Sequence, residues 1–244
     1  MKTFLAGSLL TFGLCCQLHA GSVLDPCVAG SVASYQALSG GGCTVGILVF
    51  TNFTFANAGN AANLDDATGI TLTPIDGGFS FTQTGGGPLQ VGANEYAIYD
   101  IGWNYFVDVG PVATGASMEM DPPFGNATAT QYFCNQAILR QDGAVAAPQC
   151  YDRTQGYFNP VSLTVHNPSP LTAYVPFEPP SPYGDALTQI LLTGDANGGA
   201  GFDALLGTQT VFDPTPEPGT VVFGLGGLVG LAALRRRRAS ARLG

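Results

Sequence analysis

Lysine is missing from residues 21–214, and arginine occurs there only as Arg140 and Arg153. Set against 16 Asp and Glu residues, this leaves the stretch with a net charge of about −14. Phosphate recognition rests on clustered Lys and Arg, so nucleic acid is excluded as a partner. Histidine is equally scarce, with only His166 in this stretch. A Ser-His-Asp hydrolase would have to be built on that residue, and no Gly-x-Ser-x-Gly elbow accompanies it. His166 shares a strand face with Ser162 and Thr164, opposite Leu163 and Val165, which reads as a surface position. With one histidine and no Cys-x-x-Cys, a zinc site is strongly disfavoured. Glutamate occurs there only at Glu95, Glu119 and Glu178, and nothing around them signals the raised pKa of a glycosidase acid. Long amphipathic helices and internal repeats are also absent, which argues against solenoids and propellers.

Cysteine, by contrast, is present in an even number. Cys15 and Cys16 fall in an apolar N-terminal run, and Cys27, Cys43, Cys134 and Cys150 fall in the body. The members of each body pair stand 16 positions apart. In an exported protein this reads as two disulfides, and of the three connectivities the local one, 27–43 with 134–150, is the simplest.

The body predicts an all-β fold, an antiparallel β-sandwich. Residues 45–55, 70–73, 79–82, 161–165, 173–177, 187–193 and 208–212 read as strands separated by Gly, Asn and Asp clusters. From Tyr99 to Val109 the odd positions are apolar while Asp100, Asn104 and Asp108 are polar, so this is a half-buried strand. The same parity places Trp103 in the core rather than on a sugar-stacking surface. Residues 127–139 fit either a strand or a helix, and 30–38 fit a short helix. A proline-rich stretch, 167–183, is expected to cross between sheets or run along an edge. Gly198-Gly199-Ala200-Gly201-Phe202-Asp203 matches one unit of a calcium repeat, with Asp195 and Asn197 just upstream. No cofactor is expected apart from this Ca²⁺ candidate, and a plain turn between strands is its competing reading.

Both ends carry targeting patterns. Lys2 followed by apolar residues 4–14 and a small residue at Ala20 predicts a signal peptide over 1–20, leaving a 21–214 ectodomain. At the other end, Thr215-Pro216-Glu217-Pro218-Gly219 precedes a charge-free run, 220–234, and then Arg235, Arg236, Arg237 and Arg238. As a helix that run rises about 22 Å against a hydrocarbon core of roughly 30 Å. It thus reads as a transmembrane helix that is short for a permanent span, with the arginines expected to hold the C-terminus in the cytoplasm.

This end, 215–244, resembles the PEP-CTERM sorting signal of Gram-negative bacteria. The resemblance implies an exosortase as partner, a membrane-bound intermediate, and delivery of the ectodomain to the outer envelope, cell surface or exterior. It also implies association with exopolysaccharide and biofilm. Cys27, Tyr35, Gly42-Cys43-Thr44-Val45-Gly46, Phe50 and Asn52-Phe53 further resemble the start of ectodomains often found before this signal, and imply no activity. The sequence therefore predicts a non-catalytic surface or matrix protein. A lectin-like module binding carbohydrate or calcium is the rival, and an envelope hydrolase the third reading.

Overall fold

The period-two alternation of apolar and polar residues becomes strands throughout the described parts of this computed structural model, residues 24–38, 42–107, 112–141 and 147–212. The expected signal peptide, the tail helix and the sorting residues Pro216, Glu217, Pro218 and Arg235 to Arg238 lie outside the described residues. Among the described residues, no helix is long and apolar enough to cross a membrane. In chain order the strands are β1 Gly30–Ser31, β2 Cys43–Val45, β3 Leu48–Gly59, β4 Ile70–Ile75, β5 Gly78–Gln83, β6 Leu89–Val91, β7 Tyr96–Val107 and β8 Val112–Phe124. They continue as β9 Asn126–Asn135, β10 Ile138–Arg140, β11 Gln149–Asp152, β12 Gly156–Phe158, β13 Val161–His166, β14 Thr172–Ser181, β15 Tyr183–Thr193 and β16 Ala200–Phe212. One helical turn and a half, α1 Val32–Gln36, starts where Ser31 Oγ accepts from the Ser34 N–H at 3.2 Å. It falls inside the expected 30–38.

Two antiparallel sheets face each other. One runs β13-β9-β15-β7-β3-β2, and the other β1-β4-β5-β16-β8-β14 with β6 also on β16. Residues 127–139, which fitted strand or helix, are not helical: they form most of β9, then a turn at Gln136 and Ala137, where Gln136 has φ +56°, and then the start of β10. The proline-rich stretch crosses from the first sheet to the second and then forms β14, an edge strand paired only with β8. An edge is where Pro176, Pro179 and Pro180 are tolerated, because one side of the strand needs no N–H donors. Strand β8 escaped the sequence reading because its inner half, Val112 to Ser117, is built largely of small and hydroxylated residues.

Between the sheets lies one apolar core. Odd positions of β7 from Ala97 to Val107 are all buried, as the alternation predicted. Trp103 packs against Phe79 and Phe81 of the opposite sheet, with ring centroids 6.0 and 5.9 Å apart. Tyr35, Phe50 and Phe53 continue that cluster around Phe79. Tyr105 and Phe133 close the other end on Phe177. Two disulfides pin the periphery, Cys27–Cys43 and Cys134–Cys150, in the local pairing expected.

Candidate ligand-binding groove

The even-numbered residues of β7 face away from the core, and there the sheet is not left bare. Between β9 and β13 the chain makes an excursion whose strands β10, β11 and β12 form a separate three-stranded sheet, here called the flap. Among the described residues, its connections to the six-stranded sheet include the following. Cys150 is bonded to Cys134 of β9. The Gln136 N–H donates to Tyr183 O at 3.1 Å. The Leu139 N–H donates to Asp185 Oδ2 at 2.9 Å, and Gln141 Nε2 to Asp100 Oδ2 at 2.7 Å. Both arginines of the described residues belong to this excursion, Arg140 ending β10 and Arg153 in the β11–β12 turn.

Beneath the flap, cross-strand register sets the polar side chains in rows. Asn104 stands opposite Asp185 of β15 and Thr51 of β3, and Asp100 stands opposite Gln189. Strand β3 carries a bulge here, since its register with β7 shifts by one residue between Thr51 and Thr54. The extra residue re-aims a side chain. It is Asn52, exposed and with φ +52°, a left-handed conformation that asparagine tolerates better than most residues. Asn52 Nδ2 donates to Asn104 Oδ1, and Asn104 Nδ2 donates to Asp185 Oδ1. A single line of amides and carboxylate therefore runs across three strands.

Two hollows meet along this line. One, of about 360 Å³, extends over Gly102 toward Asp100. Gly102 lies in its floor, where Thr54 approaches so closely that a Cβ would lie 2.6 Å from Thr54 Oγ1. The other, of about 400 Å³, extends toward Phe106, Tyr183 and the flap residue Tyr151. Phe106 and Tyr183 are direct cross-strand partners, 39% and 50% exposed, and Tyr151 lies 5.0 Å from Tyr157 between ring centroids. Large aromatic faces thus remain accessible beside hydrogen-bonding side chains.

The two carboxylates are held in unlike surroundings. Asp100 is 3% exposed, and burial pushes its carboxyl above the usual range while bonds from Gln189 and Gln141 pull it back. Asp185 is raised by burial too, offset by the Leu139 N–H, Asn104 and the charge of Arg140. Register places Asp185 level with Asn104, four residues along β7 from Asp100, or about 13 Å.

The calcium candidates are placed as follows. Asp195 Oδ1 accepts from the Asn197 and Gly198 N–H groups at 2.7 and 2.9 Å, closing the turn between β15 and β16. Asp203 is an exposed residue of β16, beyond that turn. Among the described residues, no group of three or more His, Cys, Asp or Glu is arranged to hold a metal ion. His166 ends β13 on the outer face beside Thr128 of β9. Of the glutamates, Glu95 accepts from the Gly92 and Ala62 N–H groups and so fastens a turn.

The groove itself was not anticipated from sequence. Its faint signals were the confinement of both body arginines to the neighbourhood of the Cys134–Cys150 loop, and an Asn-Phe pair interrupting the alternation of β3.

No protein family model matches the chain, nor does any curated protein sequence. Among solved structures, it is similar to the carbohydrate-binding module TmCBM61 in complex with beta-1,4-galactotriose. That likeness covers 64% of this chain and 88% of the other, at 9% identity and a TM-score of 0.28. A likeness that slight carries no argument about what this chain binds.

Proposed function

We propose that this chain is an exported, non-catalytic surface or matrix protein, sorted by an exosortase and associated outside the cell with polysaccharide. The observation that carries the reading is the pair of disulfides, Cys27–Cys43 and Cys134–Cys150. Such bonds persist in oxidising compartments and are rare in the cytosol. The Pro216-Glu217-Pro218 segment, apolar run and arginine cluster supply the route. Two prolines around Glu217 disfavour helix and sheet and so suit a processing site, while a charge-free run of 15 residues is marginal for permanent anchoring.

C-terminal mass spectrometry of the surface fraction tests the route. The mature protein is expected to end near Pro218, and Glu217→Ala to leave uncut precursor in the inner membrane. Recovery of intact 235–244 on surface protein would reduce the signal to a plain tail anchor.

A further inference from the structure

We propose that the groove between the outer face of the six-stranded sheet and the flap binds an uncharged oligosaccharide segment lying along β7. The proposal rests on the reading above that the partner outside the cell is a polysaccharide, and assigns to it a site and a chemical class.

Three features select the ligand. First, the groove joins two exposed rings, Phe106 and Tyr183, and the half-buried Tyr151 to the amide-carboxylate line Asn52, Asn104 and Asp185. A sugar presents an apolar C–H face to a ring and a rim of hydroxyls that both donate and accept, which amides and carboxylates match. Each amide carries two N–H donors, and one of them suffices for each bond described, so a ligand hydroxyl can be held without breaking the line. Second, the groove floor is β7, flanked on both sides by paired strands, β3 and β15. An extended peptide adding to a sheet needs a free strand edge, and there is none on this floor. Third, the field is negative. Residues 21–214 carry about −14 and Asp185 sits in the middle of the site, so the net field stays negative although Arg153 lines the second hollow and Arg140 faces Asp185. A polyuronate would approach against that field, whereas a neutral chain is indifferent to it. The hollows follow β7 from Asp100 to Phe106, on the order of 20 Å, which suits a chain segment rather than one sugar.

Affinity electrophoresis of the purified full chain in gels containing neutral polysaccharides (a β-glucan, a galactan, a mannan) or polygalacturonate tests this. At least one neutral polymer is expected to retard the protein, and polygalacturonate is not. Tyr183→Ala should weaken binding about tenfold, the scale of one lost ring platform. Asn52→Gly removes the amide yet keeps the left-handed backbone, and should weaken it as well. Tyr174→Ala, an equally exposed ring on the other sheet, should leave it unchanged. Unfolding midpoints near wild type show that the variants fold. Retardation that survives both groove variants would overturn the site while leaving the polysaccharide reading intact. Preference for polygalacturonate would overturn the uncharged class alone. Retardation by none of the polymers would overturn the site and the polysaccharide partner together.

Discussion

Gln209 is 3% exposed on the inner face of β16, and neither its Nε2 nor its Oε1 has a hydrogen-bond partner among the described residues. Nearby, Gln131 reaches from β9 to Thr188 Oγ1 at 3.1 Å, and its amide fills the space that a Cβ on Gly207 would need. An unsatisfied buried amide costs about 1–3 kcal/mol, and an apolar side chain of like shape does not incur that cost. Gln209→Met is therefore expected to raise the unfolding free energy by about that amount in urea titrations. A loss of stability instead would show that the amide is bonded in solution.

Asp100 makes a pH prediction at the same scale. Burial raises its carboxyl above the ordinary value, so the folded state holds the proton more tightly than the unfolded chain. The contribution of such a group to stability is complete below the ordinary carboxylate range and is lost as pH rises through the folded value. Asp100→Asn should accordingly raise the urea midpoint at neutral pH and leave it nearly unchanged near pH 4. An equal effect at both pH values would mean that ionisation of Asp100 is not what the substitution relieves.

Among the elements, the flap depends most on a few links. Its three short strands bury little of their own, with Cys134, Ala137 and Cys150 forming a small cluster separate from the main core. The Cys134–Cys150 bond closes a loop with a sequence separation of 16, worth roughly 3 kcal/mol by chain entropy. Replacing both cysteines by alanine should cost about that much. Amide hydrogen exchange should then show protection lost across β10 to β12, while β7 and β15 keep theirs. The same treatment of Cys27 and Cys43 should leave the flap protected, because that bond ties the segment before α1 to β2 on the far side of the sheet.

For the whole molecule, charge is the dominant feature. Self-repulsion across a body of about −14 opposes compaction, and salt at physiological strength screens it beyond about 8 Å. Raising ionic strength from about 0.01 to 0.15 M should increase the melting midpoint by roughly 2–4 °C, the shift of about 1 kcal/mol at this size. Trp103, the only tryptophan and buried among core rings, is a convenient fluorescence probe of that transition. A midpoint that falls with salt would show that attraction between the flap arginines and the sheet carboxylates outweighs the repulsion.

Fold class, the two disulfides and the burial of Trp103 were all legible in the sequence. Each is a local property. Alternation states which side of a strand is apolar, and equal spacing of two cysteine pairs in an acidic, lysine-free body favours local closure. The expected targeting patterns are also linear, but they fall outside the described residues. Tertiary structure decided the rest, because alternation does not say which strands become neighbours. Asn52, Asn104 and Asp185 lie far apart along the chain and meet only because β3, β7 and β15 are adjacent. Asn52 faces outward only because a bulge inserts one residue against β7, and no spacing rule announces a bulge. Gly198 to Asp203 read as a calcium unit or a plain turn, yet pairing with β6 and β8 draws residues from Ala200 onward into β16, and Asp195 closes the turn. The groove exists because a disulfide loop folds back over an outer face, which is a matter of long-range packing.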